Sequence, residues 1–265
     1  MAFRLILLSA VFVVTACTTT SSSFTTPYST QNETVNNGFD PEQAAATRVG
    51  IAYKYIKAGE YQRAKFHLDK ALEQDPDSEQ VMVGLAFYYQ QVREPELAQL
   101  NYKKALRLNP KNPSTLNNYG IFLCEQGEYK ESIDMFVQAS EIFINEDIAG
   151  TFENAGFCSA KGGDLDGASK FYRRALNYNS QQRLAPLGMA EIEFSKGRYD
   201  RTKSYLKRFE AISNETPRAL WLAIQNAQKM NDLDGLVSYG LKLEQIFPDA
   251  DETQLYLDKK RQWLR

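Results

Sequence analysis

Histidine and cysteine are scarce, with one His and three Cys in 265 residues. No two cysteines stand at Cys-x-x-Cys spacing and a lone His cannot make a His-x-x-x-His pair. The residue types that hold zinc or iron are therefore missing, and no metal or other cofactor is expected. Excess charge is missing too: 31 Lys and Arg face 33 Asp and Glu, which leaves no basic footprint for a nucleic acid. Neither a Gly-x-x-x-x-Gly-Lys phosphate loop nor a Gly-x-Ser-x-Gly elbow occurs, and both motifs require their glycines for backbone reasons. The lone His67 has no nucleophile set beside it by spacing and is read as a surface residue. Glu141 with Glu146, and Asp164 with Asp166, read as solvated helix-end or loop charges. No catalytic residue, no small-molecule substrate and no enzymatic activity are expected.

What is present begins with a targeting segment. Residues 1–16 carry one positive charge at Arg4, an apolar run from Leu5 to Val14, and small residues before Cys17. That is the layout of a signal peptide, and ten apolar residues are too few to span a bilayer. Val14-Thr15-Ala16-Cys17 resembles a bacterial lipobox, which implies that Cys17 is lipidated and becomes the mature N-terminus. Two or more acyl chains give lasting attachment. By the sorting rule for such lipoproteins, Thr18 in place of Asp implies the outer membrane, with the chain facing the periplasm. Residues 17–43 open with Thr18-Thr19-Thr20-Ser21-Ser22-Ser23 and lack apolar periodicity, so they are expected to form a flexible tether. The 26 residues from Thr18 to Gln43 would span roughly 28 Å as a coil and about 85 Å at full stretch.

The remainder repeats. Gly59-Glu60-Tyr61 with Ala64, Leu68, Ala71 and Pro76 returns one period of 34 later as Arg93, Ala98, Tyr102, Ala105 and Pro110. Ile51, Ala52 and Tyr55 return as Leu85, Ala86 and Tyr89, then as Tyr119, Gly120 and Leu123. Small residues let two helices approach, and the large ones fill the space between them. This is the pattern of the tetratricopeptide repeat. Units starting at Ala45, Glu79, Pro113, Ala149, Arg183 and Pro217 are spaced 34, 34, 36, 34 and 34 residues apart. The extra two residues fall around Ile144 to Ile148, where the connection must bulge. The fifth unit is weaker, because Thr202 and Phe209 replace small residues and Pro186 enters its first helix. The expected fold is all-α: a right-handed superhelical solenoid of six helix-turn-helix repeats over residues 44–250. A capping helix over 251–265 would pack through Leu255, Leu257 and Leu264.

In this repeat type the concave face is lined by positions 2, 5, 9, 12 and 13 of each first helix. In the first three units the expected groove residues include Val49, Tyr53, Ile56, Val83, Phe87, Asn117 and Ile121. Only Lys57 and Asn117 could hold a terminal carboxylate. The apolar lining suits an apolar strand or the face of an amphipathic helix better, unless the tether covers it through Phe24, Tyr28 or Phe39. Cys124 and Cys158 fall on neighbouring first helices. In a reducing compartment they would be buried apolar fillers. In an oxidising one they are placed to pair, and closing a loop of about 35 residues is worth about 3 to 4 kcal/mol in the chain-entropy view.

Four stretches narrow the resemblance: Glu94-Pro95-Glu96-Leu97-Ala98; Leu116-Asn117-Asn118-Tyr119-Gly120 with Phe122-Leu123-Cys124; Phe152-Glu153-Asn154-Ala155-Gly156 with Cys158; and Tyr239-Gly240-Leu241-Lys242-Leu243 with Phe247-Pro248. Over residues 1–250 the chain resembles the type IV pilus biogenesis lipoproteins of the pilotin (PilF/PilW) family. The resemblance implies an outer-membrane lipoprotein that binds secretin subunits, directly or through another pilus component, and promotes their localisation, multimerisation or stability. It also implies lipidation at Cys17 and a disulfide between Cys124 and Cys158. The alternative is a lipidated adaptor that recruits cell-wall hydrolases or synthases in the periplasm.

Overall fold

The computed structural model describes residues 40–263, and among these every regular element is a helix. Six antiparallel hairpins follow one another. They are α1 (Pro41–Lys57) with α2 (Tyr61–Gln74), α3 (Glu79–Gln91) with α4 (Pro95–Leu108), and α5 (Pro113–Glu125) with α6 (Tyr129–Glu141). Then come α7 (Ile148–Lys161) with α8 (Leu165–Tyr178), α9 (Leu184–Ser195) with α10 (Tyr199–Ile212), and α11 (Pro217–Lys229) with α12 (Leu233–Ile246), before a last helix, α13 (Asp251–Trp263). Each first helix lies between its own partner and the next hairpin, so the stack is a solenoid with a continuous core. The expected signal peptide, Cys17 and most of the expected tether lie outside the described residues.

The helix ends follow from local chemistry. Asp40 accepts from the backbone nitrogens of Glu42 and Gln43 at 3.1 and 3.2 Å, and Pro41 occupies the first helical turn, where its missing N–H costs nothing. Helix α1 therefore starts at Pro41, inside the stretch expected as tether. Asn112, Asp147, Asp164, Thr216 and Asp232 cap later helices in the same way. Within four hairpins a glycine at positive φ makes the turn, at 59, 127, 163 and 197; Arg93 (φ 62°) and Asn231 (φ 55°) take that strained conformation in the other two.

Small residues set the helix spacing. A Cβ placed on Gly120 would lie 2.8 Å from the Phe136 ring, and one on Gly156 would lie 2.6 Å from the Tyr172 ring. Both aromatic rings are almost wholly buried, so each glycine is the hole that its aromatic neighbour fills. Pro186 is accommodated because it stands in the first turn of α9, before the helix needs its N–H. Thr202 is fully buried and donates its hydroxyl to the carbonyl of Arg198 at 3.2 Å, which removes the cost of a polar group in a small-residue position. The two-residue insertion enters the connection between α6 and α7, residues 142–147, which is six residues long where the other connections between hairpins have four or five.

Two expectations are corrected. The end helix does not pack through Leu255 and Leu257, which are exposed; it buries Tyr256 against Leu220, Ile224, Leu236 and Leu243, and the buried Thr253 donates its hydroxyl to the Phe247 carbonyl at 2.6 Å. Gly240 leaves the space that the Tyr256 ring enters. Leu264 lies outside the described residues. His67 is not a plain surface residue either: it is half-buried and stacks on Tyr55 with ring centroids 5.4 Å apart.

Candidate protein-binding groove

The first helices α1, α3, α5 and α7 bring the ninth residue of four successive repeats into one row: Tyr53, Phe87, Ile121 and Phe157. Tyr53 and Phe87 meet edge to face, with ring centroids 5.7 Å apart, an arrangement in which the positive ring edge meets the negative face. They border a hollow of about 270 Å³ whose walls also include Val83, Gln90, Tyr102 and Ile121. Ile121 is also a wall of a second hollow, of about 200 Å³, lined by Phe136, Asn154, Phe157 and Leu184. The two hollows therefore meet at Ile121 and form one apolar trough across repeats one to four. Phe157 and Leu184 are exposed in it.

The trough ends by a change of chemistry. In the fifth repeat Glu191 takes the position of Phe157, and Arg218 grips it through two hydrogen bonds of 2.5 and 2.6 Å. This bidentate geometry raises the pKa of the Arg218 guanidinium. Several polar groups along the apolar part are paired with one another. The Tyr102 hydroxyl donates to Gln90 Oε1 at 3.1 Å, Gln90 Nε2 donates to Glu125 at 2.7 Å, and Asn154 Nδ2 donates to Asn117 Oδ1 at 3.1 Å. Burial pushes the phenol pKa of Tyr53 and Tyr102 upward, so both hydroxyls stay neutral. A mainly apolar, preorganised trough of this kind receives apolar side chains along its row of large residues, with Glu125 and Lys161 as the charged groups on its walls.

Of the seven residues expected to line the groove, five reach it or its margin. Tyr53, Phe87 and Ile121 are half-exposed walls; Val83 is nearly buried at the floor; Asn117 is half-buried and holds Asn154. Val49 and Ile56 are corrected: both belong to the core of the first repeat, with Val49 fully buried and Ile56 nearly so. For Val49 the cause is close approach of α3. Gly84 has no side chain, and a Cβ there would stand 3.1 Å from Val49 Cγ1, so the second hairpin closes over the first. Reading the ninth position on into the fourth repeat would have found Phe157. Leu184 and Tyr102 had no comparable signal, because the exposed Leu184 and the buried Tyr102 reach the walls only through the way the hairpins meet.

Below the trough, Cys124 on α5 and Cys158 on α7 are joined in a disulfide, with Cα atoms 5.8 Å apart. Ser132 Oγ, which donates to the carbonyl of Gly120 at 2.7 Å, stands 3.1 Å from Cys158 Sγ. The bridge fixes the helix bearing Ile121 to the helix bearing Phe157, the junction of the two hollows.

Comparison with known proteins agrees with the repeat architecture. Residues 45–78, 79–112 and 101–134 match the tetratricopeptide repeat. The chain is 32% identical over 225 residues to the type IV pilus assembly protein PilF of Pseudomonas aeruginosa, an alignment covering 85% of this chain and 88% of that one. The solved structure of P. aeruginosa PilF superposes with a TM-score of 0.73 at 31% identity, covering 83% of this chain and 99% of the other. The crystal structure of PilW, described as a widely conserved type IV pilus biogenesis factor, superposes with a TM-score of 0.74 at 25% identity, covering 81% and 99% of the two chains.

Proposed function

The chain belongs to the PilF/PilW family of tetratricopeptide proteins of type IV pilus biogenesis, and we propose that it acts there as a pilotin. In this reading Cys17 carries the lipid that anchors the chain to the periplasmic face of the outer membrane. The apolar trough holds a segment of a secretin subunit, directly or through another pilus component. Tethering the subunit at the membrane where it must assemble promotes its localisation, multimerisation or stability. The protein acts by binding, and no chemical step is assigned to it.

The observation that carries the reading is the uninterrupted row of Tyr53, Phe87, Ile121 and Phe157, which ends at the ion pair of Glu191 and Arg218. Such a surface suits one apolar face of a helix or strand about four repeats long, with a polar continuation. Deleting the gene should reduce both secretin multimers and surface pili, and restoring the wild-type chain should recover both. Unchanged multimers and pili would remove the pilotin assignment. Recovery of cell-wall hydrolases or synthases, without secretin, from detergent-solubilised envelopes would favour the adaptor role.

A further inference from the structure

The connection between α6 and α7 spends its two extra residues on display. Phe143 is completely exposed, at 102% of its reference area, and Ile144 is 69% exposed. The base of the loop is nevertheless firmly held. Asn145 Nδ2 donates to the carbonyl of Ala139 at 2.9 Å and to Thr151 Oγ1 at 3.2 Å, while Asn145 Oδ1 accepts from the Asp147 nitrogen at 3.0 Å. A loop fixed at its base that projects a Phe and an Ile into solvent has the form of a preorganised apolar contact.

Its place in the fold indicates the occupant. The connections between hairpins lie along one edge of the solenoid and touch in series. The start of α1 shares a hollow with residues 75–80, through Asp40, Gln43, Asp75 and Ser78. Glu79 accepts hydrogen bonds from Asn109 and Asn112, and the 109–114 stretch shares the next hollow with Ile144 and Asp147. Asp40 and the start of α1 thus lie on the same edge that carries Phe143. Leu108, Tyr178 and Ile246, at the ends of second helices on that edge, are exposed too.

We propose that Phe143 and Ile144 are a membrane-docking wedge, inserting into the interfacial layer of the phospholipid leaflet that carries the anchor. This rests on the anchored reading of Cys17 given above. Exposed Glu141, Glu146 and Asp147 flank the wedge, with Lys111 as the neighbouring cation. That balance suits a zwitterionic leaflet and opposes a strongly anionic one. Tyr178 on the same edge suits the interface, where one end of the ring is wet. With this edge on the membrane, the trough on the first helices stays open to a partner.

The test uses the full-length lipidated chain in vesicles of phosphatidylethanolamine and phosphatidylcholine with brominated acyl chains. Tryptophan is introduced by Phe143→Trp, with Phe66→Trp on α2 as the control, and the emission of Trp221 and Trp263 is subtracted with wild type. Lipid should quench the residue-143 signal about twofold or more and leave the residue-66 signal unchanged. Equal quenching at the two positions would overturn the proposal. A second measurement compares flotation of the unacylated Cys17→Ser chain with and without Phe143→Ser and Ile144→Ser, and the serine pair should lower partitioning about tenfold. If Cys17→Ser floats as well as wild type while quenching at 143 persists, the anchor reading fails and the wedge stands. If the serine pair abolishes secretin recovery and no quenching is seen, the loop is a protein contact and the wedge is wrong.

Discussion

Glu153 on α7 accepts a hydrogen bond from the backbone nitrogen of Ala185 at 2.6 Å, so the fourth repeat caps the first helix of the fifth. Helix α9 has no side-chain cap of its own, because Arg183 stands where a Ser, Thr or Asp would serve. The borrowed cap lies at the unit whose repeat signature is weakest.

The carboxylate is buried, and desolvation raises its pKa more than the bonds from Ala185 and Leu184 lower it. A raised carboxyl pKa means that the folded state holds the proton more tightly than the unfolded chain. The contribution of this group to stability is then complete below the ordinary carboxyl range and is lost as pH rises through the folded value. Glu153→Gln keeps the acceptor without the charge and should flatten that decline, leaving stability at neutral pH equal or higher. Glu153→Ala removes the acceptor and should cost about 1 to 3 kcal/mol. Urea unfolding followed at pH 4 and pH 7.5 separates the two.

The helices were legible in the sequence because proline and glycine punctuate a 34-residue period, as at Pro113 and Gly127. Depth was less legible. The spacing places Val49, Tyr53 and Ile56 on one side of α1, but the burial of Val49 follows from Gly84 on another hairpin. The end helix shows the same limit: Leu255 and Leu257 are the more apolar pair, yet Gly240 leaves a space that only Tyr256 can enter. Long-range size complementarity has no local signature.

That distinction predicts opposite phenotypes for two positions that the spacing places in the groove, Val49 on α1 and Ile121 on α5. Val49→Ala empties a fully buried site and should cost about 1 to 3 kcal/mol of stability while leaving partner binding unchanged. Ile121→Asp puts a charge where the two hollows meet. It should weaken partner recovery about tenfold or more, a larger loss than its effect on unfolding accounts for, since Ile121 is only half-buried against the core around Cys124 and Cys158. Co-purification of the pilus partner and urea midpoints, measured on the same preparations, would show whether the trough and the core are separable.

Reduction should loosen the middle of the solenoid. The bridge between Cys124 and Cys158 closes a segment of 34 positions, which the chain-entropy view values at about 3 to 4 kcal/mol. Cys124→Ala with Cys158→Ala should lower the unfolding midpoint, and dithiothreitol should lower wild type to a similar level. Dithiothreitol should not affect the double variant. Because the bridge ties the helix of Ile121 to that of Phe157, the same treatment should also weaken partner recovery.

Arg93 offers a change in the opposite direction. It closes the second hairpin at φ 62°, a conformation that Gly59, Gly127, Gly163 and Gly197 adopt at the equivalent turns. For a residue with a Cβ that conformation costs about 1 to 2 kcal/mol, and glycine relieves it while adding chain entropy to the unfolded state. The two effects oppose each other, with the strain the larger. Arg93→Gly should therefore raise stability by about 0.5 to 1 kcal/mol. Arg93 lies on the turn between α3 and α4, away from the walls of the trough, so partner recovery should not change. A lower urea midpoint for Arg93→Gly would mean that the arginine side chain stabilises the turn by more than its backbone strain costs.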